Sequence, residues 1–99
     1  MEFGKYLKTL REERKLLQRE VAAILKMDTA LLSKIERGTR KIKRDQISAF
    51  AEAYNVDSRE LNKRWIINQI IDIVKDEEAP ITILTEAENE LNIIYTKKH

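Results

Sequence analysis

The stretch from Gln18 to Gly38, QREVAAILKMDTALLSKIERG, constrains the fold of this 99-residue chain more than any other. Val21, Ala22 and Leu25 fall on one face of a short helix. Leu32 and Ile35, with Leu31 beside them, fall on one face of a second, at helical spacing. Lys26-Met27-Asp28 breaks the pattern between them: Met27 is a lone apolar anchor, and Asp28 suits the N-cap of the helix that follows. Gly38 sits just past the last periodic residue, where a helix end favours a left-handed residue. The prediction is two short amphipathic helices joined by a tight turn. Burying Leu32 and Ile35 leaves Thr29, Ala30, Ser33, Lys34 and Arg37 on the outer side of the second helix. Such a small, polar and basic surface enters a DNA major groove without steric penalty.

A chain of this length makes one domain, or one small domain with an extension, and its core is marginal enough to benefit from dimerisation. It contains no cysteine, which excludes disulfides and thiolate zinc sites and fits a reducing compartment. The opening MEFGKYLKTLREERK has no apolar signal core, and no apolar run approaches a membrane span. A soluble, cytoplasmic protein is expected. The net charge of +2 hides an asymmetry: through Arg64 there are sixteen Lys and Arg against ten Asp and Glu, from Trp65 onward three against seven. A front of +6 and a back of −4 point to a polyanionic partner for the first and protein contact for the second.

Further motifs give the central stretch a family context. Leu7 to Arg11 reads Leu-x-x-Leu-Arg, Gln18 to Ala22 reads Gln-x-x-Val-Ala, Leu32 to Gly38 reads Leu-Ser-Lys-Ile-Glu-Arg-Gly, and Ala51 to Val56 reads Ala-x-x-Tyr-Asn-Val. With these, residues 3 to about 62 resemble the phage-repressor and Cro type of helix-turn-helix domain, the XRE family. The resemblance implies an all-α fold: a five-helix repressor-like domain, here with an extended fifth helix and a C-terminal helix. It also implies an ion pair between Arg11 and Glu36, which fixes the angle between their two helices rather than adding net stability. Gln18 then hydrogen-bonds a phosphate and braces the second helix of the motif. Lys15 and Lys26 stand where relatives commonly have glycine, and Leu17 where Ser or Thr usually caps the helix. A left-handed lysine costs roughly 1–2 kcal/mol, of which the helix dipole returns a few tenths to ~1 kcal/mol.

Along the rest of the chain, Phe3 to Arg14 reads as the first helix, with Phe3, Leu7 and Leu10 on its inner edge. Gly38 to Arg44, GTRKIKR, is the densest positive stretch; Arg40, Lys41, Lys43 and Arg44 are placed to hold phosphates beside a groove-reading helix. By the resemblance, Arg44 lies near the minor groove. Asp45 to Tyr54 reads as the fourth helix, followed by Asn55 as a left-handed cap. Asp57-Ser-Arg-Glu60 is a capping box opening a fifth helix that continues through Trp65, Ile66, Ile67, Ile70, Ile71, Ile73 and Val74 to about Lys75. Those apolar groups are too many for one stripe against so small a domain. After an acidic break at Asp76-Glu-Glu-Ala-Pro80, Leu84, Ala87, Leu91, Ile94 and Tyr95 recur at helical spacing, giving a helix from near Pro80 to Tyr95. Thr85-Glu-Ala-Glu88 is a second capping box, which leaves an extended Ile81–Leu84 open, and Thr96 to His99 is expected to fray.

The division expected is a DNA-binding domain over residues 1–64 and a helical, dimerising extension over 65–99. Its interface residues are Trp65, Ile66, Ile67, Ile70, Ile71, Val74, Leu84, Leu91 and Ile94. Base contacts fall to Thr29, Ala30, Ser33 and Lys34, with the methyls of Thr29 and Ala30 suited to thymine and Lys34 to guanine O6 or N7. Phosphate contacts fall to Gln18, Arg19, Lys26, Arg37, Thr39, Arg40, Lys41, Lys43 and Arg44. The one histidine is His99, and there is no phosphate-binding glycine loop, so neither enzyme chemistry, a cofactor nor a metal is expected. Asp76, Glu77 and Glu78 read as an acidic interhelical loop. The partners expected are double-stranded DNA and a second copy of the chain, on a palindromic operator and as a repressor-type regulator. The alternatives are an antitoxin-type protein whose C-terminal helices bind another polypeptide, and a restriction–modification controller.

Overall fold

The computed structural model describes residues 2–98, and among them it is all-helical with no strand. The six helices are α1 (Phe3–Glu13), α2 (Gln18–Ile24), α3 (Thr29–Arg37), α4 (Ile47–Tyr54), α5 (Ser58–Val74) and α6 (Pro80–Lys98), with a 3-10 turn at Arg44–Gln46 ahead of α4. The chain divides into two compact units between Asn68 and Gln69, within α5 and four residues beyond the boundary expected at 64/65. No described helix is long and apolar enough to cross a membrane.

Turn chemistry sets the first unit. α1 ends at Arg14, and Lys15 turns the chain with a positive φ of 55°. Leu17 cannot cap α2 with its own side chain; the Glu20 carboxylate instead accepts from the Leu17 amide at 2.8 Å, half of a capping box. α2 closes at Leu25 and Lys26, the latter at φ 56°, so both lysines adopt the conformation their glycine-like positions imply. Asp28 Oδ1 then accepts from the Ala30 amide at 3.2 Å and starts α3, which Gly38 ends at φ 81°. Asn55 closes α4 at φ 53°. Asp57 Oδ1 accepts from the Arg59 amide at 2.8 Å, and that bond, with a weaker one from the Arg59 guanidinium, holds the Asp57 carboxyl below its usual range.

The core of this unit is one cluster that includes Leu7 and Leu10 of α1, Val21 and Ala22 of α2, Leu32 and Ile35 of α3, Phe50 and Tyr54 of α4 and Leu61 of α5. Burial pushes the ionisation of the Tyr54 phenol up, and the nearby Glu36 carboxylate adds to this. Arg14 closes the far end: its Nε donates to the Tyr54 carbonyl and its Nη1 to the Leu10 carbonyl of α1 at 3.0 Å, placing a cation on the last carbonyl of α4.

Three sequence expectations are corrected. The fourth helix does not run as one α-helix from Asp45, because a 3-10 turn precedes Ile47. Thr85 is not a cap: its hydroxyl donates to the Ile81 carbonyl at 2.9 Å inside a continuous α6, so Ile81–Leu84 are helical. Thr96 also lies within α6, its hydroxyl on the Asn92 carbonyl at 2.8 Å; His99 lies outside the described residues.

α5 carries large apolar residues along its length. Leu61 and Trp65 point into the core of the first unit. Ile66, Ile70, Ile73 and Val74 recur further along the helix at spacings of four, three and one. Trp65, expected at a dimer surface, is instead half-buried against its own core because it lies one turn beyond Leu61, on the same inward face. Val74, expected at the same surface, is itself buried within the chain. Ile67, Ile70, Ile71 and Ile73 are exposed. Among the residues of α6 whose burial is described, only Pro80 and Leu84 are half-buried, and every residue from Thr85 to Lys97 is exposed.

Gly4 in α1 marks the closest packing. A Cβ there would fall on the carbonyl oxygen of Ile35 and 2.9 Å from that of Glu36, so α1 meets the last turn of α3 backbone to backbone. Gly4→Ala should therefore destabilise the domain by about 2 kcal/mol through overpacking. An unconstrained helical glycine would gain up to ~1 kcal/mol from the same change. Urea denaturation gives the sign.

Candidate nucleic-acid interface

The side chains that α3 presents follow from which ones it buries. Leu32, Ile35 and Glu36 are buried and Leu31 packs beside them, which leaves the opposite arc to Thr29, Ala30, Ser33, Lys34 and Arg37. Thr29, Ala30, Lys34 and Arg37 are exposed, and Ser33 is half-buried. Arg37 Nη1 donates to Ser33 Oγ at 2.7 Å across one turn, which orders the guanidinium along the helix and leaves the serine O–H able to donate outward. The sequence places these five residues together, and the structure brings them onto one arc.

Beneath this arc lies a buried ion pair. Arg11 Nε donates to Glu36 Oε2 at 2.7 Å, and Arg11 Nη2 donates to Glu36 Oε1 at 3.0 Å, a bidentate contact. Gln18 Nε2 adds a third bond, to Glu36 Oε1 at 2.9 Å. Arg11 Nη1 donates to the Leu16 carbonyl at 2.8 Å, in the connection between α1 and α2. The hydrogen bonds to Glu36 raise the Arg11 guanidinium above its ordinary value, and burial opposes them. One carboxylate from α3 thus receives α1 and the first residue of α2. Both charges are satisfied, which a buried pair requires. Gln18 is turned toward Glu36, so the bracing role is present in the fold.

The basic loop after α3 has its own support. Gly38 N donates to the Ile35 carbonyl at 3.1 Å, and the amides of Thr39 and Arg40 both donate to the Lys34 carbonyl, at 3.0 and 3.3 Å. Ile42, in the middle of GTRKIKR, is buried in the core, and its carbonyl accepts from Trp65 Nε1 at 3.3 Å. Burying Ile42 turns its neighbours outward: Arg40, Lys41, Lys43 and Arg44 are all exposed. Arg19 and Lys26 are exposed as well. Thr39 is exposed, and its hydroxyl donates to the Lys34 carbonyl at 3.2 Å beside its amide on the same atom.

Ile42, Trp65 and Gly4 position the site and were not assigned that role from sequence. Ile42 had a signal, as the one apolar residue in a basic run. Trp65 and Gly4 had none, since their partners are distant in the chain. Asp76, Glu77 and Glu78 are exposed, and among the described residues no group of three or more His, Cys, Asp or Glu is placed to hold a metal.

The model of a family described as "Helix-turn-helix domain" matches residues 2–64, which covers the ion pair, the α3 arc and the basic loop. No curated protein matches the chain.

Arg11→Ala leaves Glu36 charged, buried and short of two donors, and should cost on the order of 3–5 kcal/mol. Gln18→Ala removes one hydrogen bond and should cost about 1 kcal/mol. Urea unfolding of the two variants orders them; equal losses would show that Glu36 is not held chiefly by Arg11.

Proposed function

We propose that this chain, which belongs to the helix-turn-helix domain family, is a transcriptional regulator of the repressor and Cro type that reads double-stranded DNA as a homodimer. The observation that carries the reading is the outward arc of α3. Thr29, Ala30 and Lys34 are exposed on a helix whose other side is fixed by Leu32, Ile35 and the Arg11–Glu36 pair. Small side chains at the first turn let the helix enter the major groove, where the Thr29 and Ala30 methyls suit thymine. Lys34, a turn further on, suits the acceptors of guanine. Ser33 supplies an outward hydroxyl between them. Arg19, Lys26, Arg37, Arg40, Lys41, Lys43 and Arg44 supply phosphate contacts, which set register without reading sequence. Gln18 braces α3 through Glu36.

The homodimer rests on α5 and α6. An isolated helix of ~12–15 residues is marginal in water, so most helical stability comes from packing an amphipathic face. α6 leaves Leu91, Ile94 and Tyr95 exposed, and Ile67, Ile70 and Ile71 of α5 are exposed likewise. Leu84 and Ile66 are half-buried. A second copy covers the surface and places two α3 helices on one operator, with half-sites ~10 bp apart in a palindrome. The acidic character of residues 65–99 suits protein contact and leaves the DNA to the basic front.

Selection of bound sequences from a random duplex library should return a two-fold symmetric motif, and light scattering at tens of micromolar should give twice the chain mass. No enrichment removes the DNA reading; a monomer removes the dimer. On the selected duplex, Lys34→Ala should relax preference at one base pair per half-site, a loss of about 1–3 kcal/mol there. A uniform loss over all duplexes would make Lys34 a phosphate contact.

A further inference from the structure

α1 is held at its first turn by α5 and pressed at that same turn against α3. Glu2, at the N-cap, makes no side-chain cap bond. The Phe3 amide donates instead to Asn68 Oδ1 of α5, 65 residues away in the chain. One turn back along α5, the Arg64 guanidinium lies over the Tyr6 ring, 4.9 Å from its centroid. Asn68 and Arg64 thus grip Phe3 and Tyr6. Gly4 lies between those two residues and is the point where α1 touches the carbonyls of Ile35 and Glu36. Ile35 also accepts from Gly38, and Glu36 carries the ion pair with Arg11.

We infer that Asn68 is a positioning residue for the DNA-reading helix: by capping α1 it sets where the first turn of α1 presses on the last turn of α3. The inference rests on the DNA reading above for its functional meaning, and on geometry alone for the coupling. A side chain two helices removed from the proposed bases then controls how α3 is presented to them. Helix packing transmits this because Gly4 leaves no compliant side chain between the two backbones; a shift of α1 displaces carbonyls directly. The oxygen of Asn68 is the operative atom. A carboxylate in its place keeps the acceptor and also favours a helix N-terminus, whereas a leucine keeps the volume and removes the acceptor.

The test compares Asn68→Leu and Asn68→Asp in the full chain. Amide hydrogen exchange, read by NMR without DNA, should show Gly38 and Thr39 exchanging about three- to tenfold faster in Asn68→Leu, the scale of one hydrogen bond. Phe50 in α4 should be unchanged, and Asn68→Asp should behave as the native chain. Faster exchange confined to Phe3, or an equal rise at Phe50, overturns the coupling. On the duplex enriched by selection, Asn68→Leu should lose a similar factor in discrimination against a shuffled duplex, with rescue in Asn68→Asp. A loosened α3 end with full discrimination overturns the positioning role. If the native chain enriches no duplex, the DNA reading fails by itself, while the exchange result still decides whether Asn68 holds the end of α3.

Discussion

Glu36 is the point on which the geometry of the first unit depends. A carboxylate at 4% exposure is tolerated only when its charge is matched and its lone pairs are occupied. Arg11 and Gln18 do both, one from α1 and one from the first turn of α2. Hydrophobic contact alone would let three short helices slide, because it has no direction. A bidentate guanidinium–carboxylate contact has a plane and a distance, and here it joins α1 to α3. Buried ion pairs add little net stability, so the pair is better understood as selecting one angle of α3 among several of similar energy.

The basic loop shows the same economy of means. Its cations are held outward by one aliphatic side chain pointing inward, and Trp65 secures the loop backbone from the opposite side. Lys15 and Lys26 carry the theme further, since each occupies a left-handed position that glycine would occupy without strain. Positive charge is retained there at a cost in backbone energy. This fits a surface whose attraction to a polyanion depends on the number of cations it carries.

Much of this was legible in the chain, and what was not has identifiable causes. The two helices of the motif, the Asp28 cap, the left-handed Gly38 and Asn55 and the outward arc of α3 all follow from local periodicity and cap chemistry. Thr85 was misread because Thr-x-x-Glu is a start signal only where the preceding residues are non-helical, and Ile81–Leu84 are helical. Trp65 was assigned outward because the apolar run of α5 is continuous in sequence, whereas Trp65 itself packs against the core of the first unit. Gly4 and Asn68 could not be read at all: their partners lie some 30 and 65 residues away, and a glycine or an asparagine in a helix announces no contact of its own.

The chain has two glycines, and both serve the same end of α3: Gly38 closes it and Gly4 lets α1 approach it. Evolutionary freedom along this helix is therefore uneven. The outward arc accepts exchange of one side chain for another without disturbing the frame, while the buried Ile35 and Glu36 and the closing Gly38 accept almost none. Under the proposed DNA reading, a lineage built on this chassis would diverge in the sequence it reads by drifting at Thr29, Ala30, Ser33 and Lys34, with the glycines, the arginine and the glutamate behind them left in place.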